Sequence, residues 1–446
     1  MNTDVQFGVG RVTRFYVPLL LQSFSQSLAY PLVAGIVTHG EHGVDALTAF
    51  SQGLMIMFMV GALGGGLITT GLVFAKTWVG YVAFRRLNAL MMGTLLALQC
   101  VPALPPFSGW IFSGLFALPP ELASIASRTL LLGVVMNAFF FLRNVPMVVL
   151  FNNLESGKAN NATLMRIAVT LALAVAFPRI GLVGPWWGCF ALTFGVGVEL
   201  AVTWLYARPY VACLPNRVTG DDVRGVPSIP RLTLEQFRFT LPLSLGGFLL
   251  MLSPVFIAAF VGRTADAPDM LAVHYVVLGV ANPVAFAALR FQAVAIKFPP
   301  SYPGDRRLLA YAVTVGLLLG LVPLAFSTPW LGGWYFGEYQ NVPSRILGTA
   351  RLAIGIYSLI AVIQGVRGRV EGLAALAKRP KVVMAGQIAY TVSLFTVCAV
   401  LLPAGARGWA MAVTAISVAP ICAAATMYVA LACQKKASPS APRALP

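Results

Sequence analysis

Residues 14–19 of the chain read RFYVPL, and residues 238–243 read RFTLPL. The two stretches lie 224 positions apart in a chain of 446 residues, so the second copy starts just past the middle. We call this separation the repeat spacing. Each stretch combines a basic residue, an aromatic residue and a proline at the start of an apolar run. At the repeat spacing, Arg143 is matched by Arg367. These matches predict that the chain contains two copies of one structural unit.

The composition places both copies in a membrane. Of all residues, 58% are apolar and 10% are charged, and the mean hydropathy is +0.82. A soluble globular protein carries about 25% charged residues, and a helix that crosses a bilayer needs about 20 apolar residues. Twelve apolar runs follow one another, at residues 12–38, 46–75, 86–105, 124–150, 162–182, 185–206, 235–262, 269–297, 308–334, 346–370, 381–403 and 408–433.

These runs predict an all-α polytopic membrane protein with about twelve transmembrane helices in two six-helix bundles related by pseudo-twofold symmetry. A polar stretch with four prolines, residues 207–234, separates the two groups of six runs. We therefore expect an N-terminal bundle over 1–206, a cytoplasmic linker over 207–234, a C-terminal bundle over 235–434 and a disordered tail over 435–446. With six helices each, both bundles enter from the same side, as in many transporters that bind substrate between two repeats.

The distribution of basic residues predicts the orientation. Loops after even-numbered runs are basic, whereas loops after odd-numbered runs hold mostly acids or single arginines. Basic loops stay in the cytoplasm, so we expect both termini there. The net charge of +17 follows from the same rule and does not indicate nucleic acid, because no basic stripe follows a polar face. The first run has full span length and lacks a cleavage site, so we expect a retained first helix.

Ionisable residues inside a span are costly and are candidates for function. Four arginines and two glutamates stand out in or next to the spans: Arg143, Arg290, Arg367, Arg369, Glu199 and Glu371. In the predicted topology the arginines lie in the cytoplasmic third of the membrane and line a vestibule, unless they extend to the interface as snorkelling side chains. Glu371 follows Arg367 by four positions, so the two can pair along one helix. Glu199 is a candidate proton or cation carrier, or a partner of an arginine on a neighbouring helix.

Other polar residues give weaker signals. Gln22 and Gln26 in the first span and Asn282 in the eighth are candidate hydrogen-bonding groups. His274 is a candidate proton relay, with a packed, hydrogen-bonded role as the alternative. Residues 101–120 are apolar but rich in Pro and Gly, so we expect an interfacial loop or short helix there. The six cysteines form no C-x-x-C pair, and neither a phosphate-binding loop nor a catalytic triad occurs, so we expect no metal, no cofactor and no enzyme.

Four short motifs carry a resemblance to a known family. They are Arg14-Phe15-x-Val17-Pro18-Leu19; Gly71-Leu72-Val73-Phe74; Pro283-Val284 with Lys297 and Pro299 after it; and Val366-Arg367-x-x-Val370-x-Gly372. With these motifs the chain resembles the progressive ankylosis protein family, a branch of the multidrug/oligosaccharidyl-lipid/polysaccharide (MOP) exporter superfamily. Two departures stand out. The first span has no acidic residue, and the long acidic tail of the vertebrate members is missing.

The resemblance implies two six-helix bundles around a central cavity that works by alternating access. It also implies export of small anions such as citrate, pyrophosphate or ATP. The sequence thus favours a secondary-active or facilitative exporter of small polyanions in a bacterial inner membrane, a monomer whose partners are its substrate, membrane lipids and a coupling ion, H+ or Na+. The alternative is a flippase for a lipid-linked sugar pyrophosphate on the same scaffold.

Each candidate residue has an expected role in this exporter. Arg143 and Arg367 bind the anion, and Arg290 lines the entrance to the cavity. Hydrogen bonds to the anion come from Gln22, Gln26 and Asn282. The candidates for ion coupling are Glu199, Glu371 and His274.

Overall fold

The computed structural model describes residues 7–116, 118–215, 228–302, 305–340 and 342–437, without the side chains of residues 25–31 and a few others. The first half contains α1 (Val9–Thr38), α2 (Gly43–Ala62), α3 (Gly66–Phe74), α4 (Trp78–Cys100), α5 (Pro120–Asn152), α6 (Ser156–Arg179) and α7 (Pro185–Ala212). The second half contains α8 (Ile229–Val261), α9 (Ala267–Leu289), α10 (Phe291–Lys297), α11 (Arg307–Phe326), α12 (Pro329–Gly332), α13 (Ser344–Tyr357), α14 (Ile360–Leu376), α15 (Pro380–Leu401) and α16 (Gly408–Ala437). No strand occurs within these ranges.

The helices confirm the predicted all-α membrane fold. Ten helical stretches in the described part of the chain are long and apolar enough to cross a bilayer. They coincide with ten of the twelve predicted runs, where α2 with α3, α9 with α10 and α13 with α14 each form one stretch. The two remaining runs fall on α1 and α4, which have 30 and 23 residues and so exceed the length that a bilayer requires.

The repeat spacing also relates helices in the described parts of the two halves. α5 begins at Pro120 and ends at Asn152, and the pair α13–α14 begins at Ser344 and ends at Leu376, which are the equivalent positions in the second half. α2 and α9 begin at Gly43 and Ala267, which again differ by the repeat spacing. Short π-helices at Gly109–Leu115 and Gly333–Tyr339 are related in the same way. The repeat predicted from a few residues therefore describes the helix order of both halves.

Contacts divide the chain into two compact units, which we call the N unit (Ser25–Ser244) and the C unit (Met1–Phe24 with Leu245–Pro446). In the C unit, the Tyr16 hydroxyl of α1 donates a hydrogen bond of 2.9 Å to the Ala287 carbonyl of α9. In the N unit, the hydroxyls of Thr70 in α3 and Thr240 in α8 lie 2.7 Å apart. The two starting stretches of the repeat thus pack against helices of the opposite half of the sequence. The predicted bundles of 1–206 and 235–434 remain a prediction from hydropathy.

The polar stretch between the halves is partly helical. α7 continues to Ala212 and α8 begins at Ile229, so both helices extend into residues 207–234. The charged residues there cannot lie in lipid, but a helix can continue into water with polar side chains on its surface. Residues 216–227 and the tail beyond residue 437 lie outside the described residues.

An ion pair orders the start of α11 outside the membrane. The Asp305 carboxylate accepts hydrogen bonds from the Arg307 guanidinium at 2.8 and 3.0 Å and from the Ser301 and Arg307 backbone amides at 3.1 Å. These donors, the Arg307 side chain first, lower the pKa of Asp305 below its usual range. The carboxylate is therefore ionised at neutral pH and fixes the first turn of the helix.

Glycines allow two helices of the C unit to approach closely. An ideal Cβ on Gly316 of α11 would lie 2.6 Å from the Val362 Cα of α14. Such contacts between backbones are typical of membrane helices, where small residues let the helix axes come together. Gly93 of α4, by contrast, has no atom within 4 Å of an ideal Cβ.

We predict that Gly316→Ala lowers the melting temperature of the purified protein, because the added methyl group meets backbone that cannot move independently. Overpacking of this kind costs about 1–3 kcal/mol. Gly93→Ala is the matched control, since it adds the same methyl group in open space and gains up to about 1 kcal/mol of helix propensity. Equal melting temperatures for the two variants would contradict the close packing of α11 on α14.

Candidate functional site

A buried carboxylate joins three helices of the N unit. Glu199 of α7 is fully buried, and its Oε2 accepts hydrogen bonds from Arg143 Nη1 at 2.6 Å and from Arg166 Nη1 at 3.1 Å. Its other oxygen, Oε1, accepts a hydrogen bond of 2.5 Å from the Thr163 hydroxyl. We call Arg143, Thr163, Arg166 and Glu199 the Glu199 cluster. With two arginines and one glutamate, it has a formal charge of +1.

Helix geometry brings these side chains together. Thr163 and Arg166 lie three positions apart and therefore share one face of α6. Arg143 lies on α5 three positions before Pro146, and its guanidinium lies 4.9 Å from the centre of the Phe140 ring. The ring covers the guanidinium on one side, while the carboxylate neutralises it on another. Such pairing is required because an isolated ion in an apolar interior costs several kcal/mol.

A second buried cluster lies in the C unit. Arg367 of α14 is 1% exposed, and its Nε donates a hydrogen bond of 2.9 Å to Glu371 Oε1. Its Nη2 donates to Gln387 Oε1 at 2.6 Å and its Nη1 to Gln364 Oε1 at 3.4 Å. Gln387 Nε2 in turn donates to Glu371 Oε1 at 3.0 Å. We call Gln364, Arg367, Glu371 and Gln387 the Glu371 cluster; its formal charge is zero.

The repeat relates one arginine of each cluster, but it does not relate their acids. At the repeat spacing, Arg143 corresponds to Arg367, Thr163 to Gln387 and Arg166 to Tyr390. The Tyr390 ring lies 5.0 Å from the Arg367 guanidinium, so it also belongs to the surroundings of its cluster. Glu199 corresponds to an alanine and Glu371 to a methionine. Each half has thus placed its carboxylate on a different helix, and the N unit alone has a second arginine in its cluster.

The structure brings some of the predicted site residues together within each unit. Arg143 contacts Glu199, and Arg367 contacts Glu371 at the spacing of four positions that the sequence predicts. Arg290, between α9 and α10 of the C unit, is half-buried, and its Nε donates to the Ser23 hydroxyl of α1 at 3.1 Å. Their roles in binding stay predictions.

The remaining candidates lie outside the two clusters. Gln22 is buried, and Asn282 is half-buried in α9. His274 is 3% exposed, and neither ring nitrogen has a hydrogen-bond partner among the described residues. The side chain of Gln26 lies outside the described residues. In the part of the chain that the structure describes, no three His, Cys, Asp or Glu side chains come close enough to hold a metal ion.

Sequence reasoning missed several cluster residues. Arg166 lies inside the fifth predicted run, four positions after its start at 162, and its position suggests a residue at the membrane edge. The pattern that reveals it is the pair of Thr163 and Arg166 on one helix face. Gln387 and Tyr390 form the equivalent pair on α15, and they also lie in the first part of their apolar run, where polar residues are expected at the membrane edge.

Comparisons with solved structures place this fold among known ones. The eukaryotic MATE transporter AtDTX14 is 16% identical, with a TM-score of 0.70 over 95% of each chain. A MOP superfamily transporter from Pyrococcus furiosus, described as having a binding pocket of reversed polarity, is 16% identical, with a TM-score of 0.70 over 95% of this chain and 96% of the other. A multidrug-resistance MATE transporter in an outward-facing conformation is 16% identical, with a TM-score of 0.71 over 96% of each chain.

Comparisons of the sequence alone find no match. No protein-family model matches the chain, and no curated protein matches it. The resemblance to the progressive ankylosis family therefore rests on the four motifs alone. The structural likeness extends over almost the whole chain and shows that this protein has the fold of the MATE transporters of the MOP superfamily.

Proposed function

We propose that the chain is a secondary-active or facilitative membrane transporter that exports small polyanions by alternating access. The substrate class is citrate and other dicarboxylates, pyrophosphate, or nucleotides such as ATP. The fold supports the function as a transporter, and the charge of the buried side chains supports an anionic substrate. We further propose a monomer in a bacterial inner membrane with both termini in the cytoplasm.

The excess of buried arginine is the observation that carries this proposal. The described membrane helices bury three arginines, Arg143, Arg166 and Arg367, but only the two glutamates of the clusters. The excess positive charge belongs to the Glu199 cluster. A bound anion would neutralise that charge, and a guanidinium suits carboxylate and phosphate groups because it binds them through two parallel hydrogen bonds.

The two clusters differ in how readily they can bind an anion. In the N unit, Arg143 and Arg166 divide one carboxylate between them, so an anion can gain from the second arginine without displacing Glu199. In the C unit, Arg367 is matched by its own carboxylate, so an anion there has to compete with Glu371. We therefore propose Arg143 and Arg166 as the main anion-binding residues.

The other candidate residues have supporting roles in this proposal. Arg290 adds to the positive potential along the pathway, and Arg367 is a second contact for the anion. Gln22, Gln26 and Asn282 supply hydrogen bonds, and Glu199, Glu371 and His274 remain the candidates for coupling to H+ or Na+.

The fold by itself leaves the charge of the substrate open. The Pyrococcus furiosus protein is described as having reversed pocket polarity, and the outward-facing one as a multidrug-resistance transporter, so related folds serve different substrates. Extrusion of cationic drugs requires acids that attract the drug. α1 contains no acidic residue, which favours an anionic substrate over a cationic one.

A groove in the C unit is the place to test the alternative function, a flippase for a lipid-linked sugar pyrophosphate. This groove of about 710 Å³ lies between α1 and α11 and is mostly apolar, with Val17 and Leu318 in its walls. Arg307 and Tyr311 also line it. Such a groove can hold an acyl chain beside a phosphate group, so lipid-linked diphosphates belong among the ligands tested.

We predict that one of citrate, malate, pyrophosphate or ATP raises the melting temperature of the purified protein at matched ionic strength. A ligand at about 100 times its Kd adds about 2.7 kcal/mol to the stability. Arg143→Gln and Arg166→Gln should each raise the Kd roughly tenfold to a hundredfold, because each removes a charged hydrogen bond worth about 1.5–3 kcal/mol. Uptake of the same labelled anion into inside-out vesicles should fall in parallel.

Arg128→Gln is the matched control for this experiment, since Arg128 is an exposed arginine on the same helix as Arg143. Its Kd should equal that of the unmodified protein. If a lipid-linked diphosphate raises the melting temperature and the soluble anions do not, the protein is a flippase and not an exporter of soluble anions. Equal effects of Arg128→Gln and Arg166→Gln would show that only the overall charge matters and would contradict the proposed site.

We also predict that Glu199→Gln destabilises the protein far more than Arg166→Gln. Removal of the carboxylate takes away the counter-charge that the two buried arginines share, and breaking a buried ion pair in this way costs about 3–5 kcal/mol. Removal of Arg166 leaves the neutral pair of Arg143 and Glu199. Thermal unfolding in detergent measures both, with the exposed Glu121→Gln as the control. Added small anions should restore part of the loss in Glu199→Gln, and an unchanged melting temperature of that variant would contradict the role of the cluster.

A further inference from the structure

Two short π-helices occupy equivalent positions in the two halves. Gly109–Leu115 lies between α4 and α5, and Gly333–Tyr339 lies between α12 and α13. Their closing hydrogen bonds are also related by the repeat spacing. The Phe116 amide donates to the Ile111 carbonyl at 3.0 Å, and the Gln340 amide donates to the Tyr335 carbonyl at 2.9 Å. π-helices are rare and often mark functional segments, so a pair of them at equivalent positions requires an explanation.

The same side chains repeat in both segments. The sequences GWIFSGL and GWYFGEY share a glycine, a tryptophan and a phenylalanine at their first, second and fourth positions. Phe112 and Phe336 are both fully buried in their own units. Trp110 and Trp334, two positions earlier, are 70% and 51% exposed. Residues two positions apart on a helix face different sides, so each segment presents its tryptophan away from the protein.

Further exposed apolar side chains lie near each tryptophan in the sequence. Residues 101–119 contain no charged residue, and Leu104 and Phe107 are exposed beside Trp110. Trp330 of α12, just before the second segment, is 84% exposed. Exposed apolar patches of this kind on a protein surface mark contacts with a partner or a membrane. Tryptophan in particular is enriched at the boundary between lipid headgroups and acyl chains, where its ring and its N–H group are both satisfied.

The backbone restricts how deep the segments can lie. Irregular backbone is tolerated in the hydrocarbon region only where protein or a water-filled cavity surrounds it. Both segments are irregular helices; the first exposes Ser113 and Gly114, and the second exposes Glu338. The interface is the region that accommodates an exposed tryptophan, an irregular backbone and a carboxylate together.

We propose that the segments Gly109–Leu115 and Gly333–Tyr339 are matched membrane-interface anchors. Each inserts its phenylalanine into its own unit and places its tryptophan at the headgroup–acyl boundary of the phospholipid bilayer. In the predicted topology both connections lie on the outer side, so the contacted leaflet is the outer one. The proposal is independent of what the protein transports.

The test uses tryptophan fluorescence of the full chain in phospholipid vesicles. The emission of the double variant Trp110→Phe/Trp334→Phe is subtracted from that of the unmodified protein, which has eight tryptophans. Vesicles contain lipids brominated either near the glycerol or near the end of the acyl chain, and iodide serves as the quencher in water. We expect the difference signal to lose most intensity with bromine near the glycerol, and less with deep bromine or with iodide.

Other results would overturn the proposal. Strongest quenching by iodide would place the tryptophans in water, and strongest quenching by deep bromine would place them in the hydrocarbon core. A difference signal insensitive to all three quenchers would mean that protein, such as a second copy of the chain, covers them. Melting temperatures test the fold separately: the double variant should match the unmodified protein, whereas Phe112→Ala should lower the melting temperature because Phe112 is buried.

Discussion

The requirement to neutralise charge inside an apolar protein determines how the membrane helices of this chain come together. Arg143, Arg166 and Glu199 lie on α5, α6 and α7, and each is buried. None of them is tolerable there alone, because an uncompensated ion in a membrane helix costs at least a few kcal/mol. Pairing across helices therefore restricts the rotation of α5, α6 and α7 about their axes, and apolar side chains pack around the paired charges.

The repeat shows how the same scaffold can carry two different charge balances. Arg143 and Arg367 occupy equivalent positions, and the helix that follows each of them supplies a polar side chain to the cluster. Thr163 donates a hydrogen bond to Glu199, whereas Gln387 accepts one from Arg367. The carboxylates come from unrelated positions. Each half thus neutralises its buried arginine with a carboxylate from a different position, and of the two clusters only the Glu199 cluster contains an excess cation. The proposed preference for anions rests on that difference between the two halves and is not a property of the fold.

Much of this architecture follows from the sequence because hydropathy and helix spacing are local properties. Twelve apolar runs predict the helical stretches, and the spacing of four positions predicts the pair of Arg367 and Glu371. The sequence leaves the partner of Glu199 open, because it does not say which faces of α5, α6 and α7 meet. The sequence does not single out Arg166, because it lies near the start of its apolar run, where an arginine at the membrane edge is expected. The packing of α1 against the C unit depends on contacts such as that of Tyr16 with Ala287, which no local pattern reveals.

The internal repeat also supplies a comparison that tests which charge matters. Tyr390 stands in the C unit where Arg166 stands in the N unit, and its ring lies against the arginine of its cluster. Arg166→Tyr would therefore make the formal charge of the Glu199 cluster zero, as in the Glu371 cluster. It would also place a tyrosine at the position that Tyr390 occupies there. If a single excess arginine determines the preference for anions, this exchange should remove anion binding while Glu199 stays paired with Arg143. If anion binding is lost while Arg143 and Glu199 stay paired, the excess charge is what binds the anion. The structural role of the cluster would then be a separate one, since the pair that carries it has not changed.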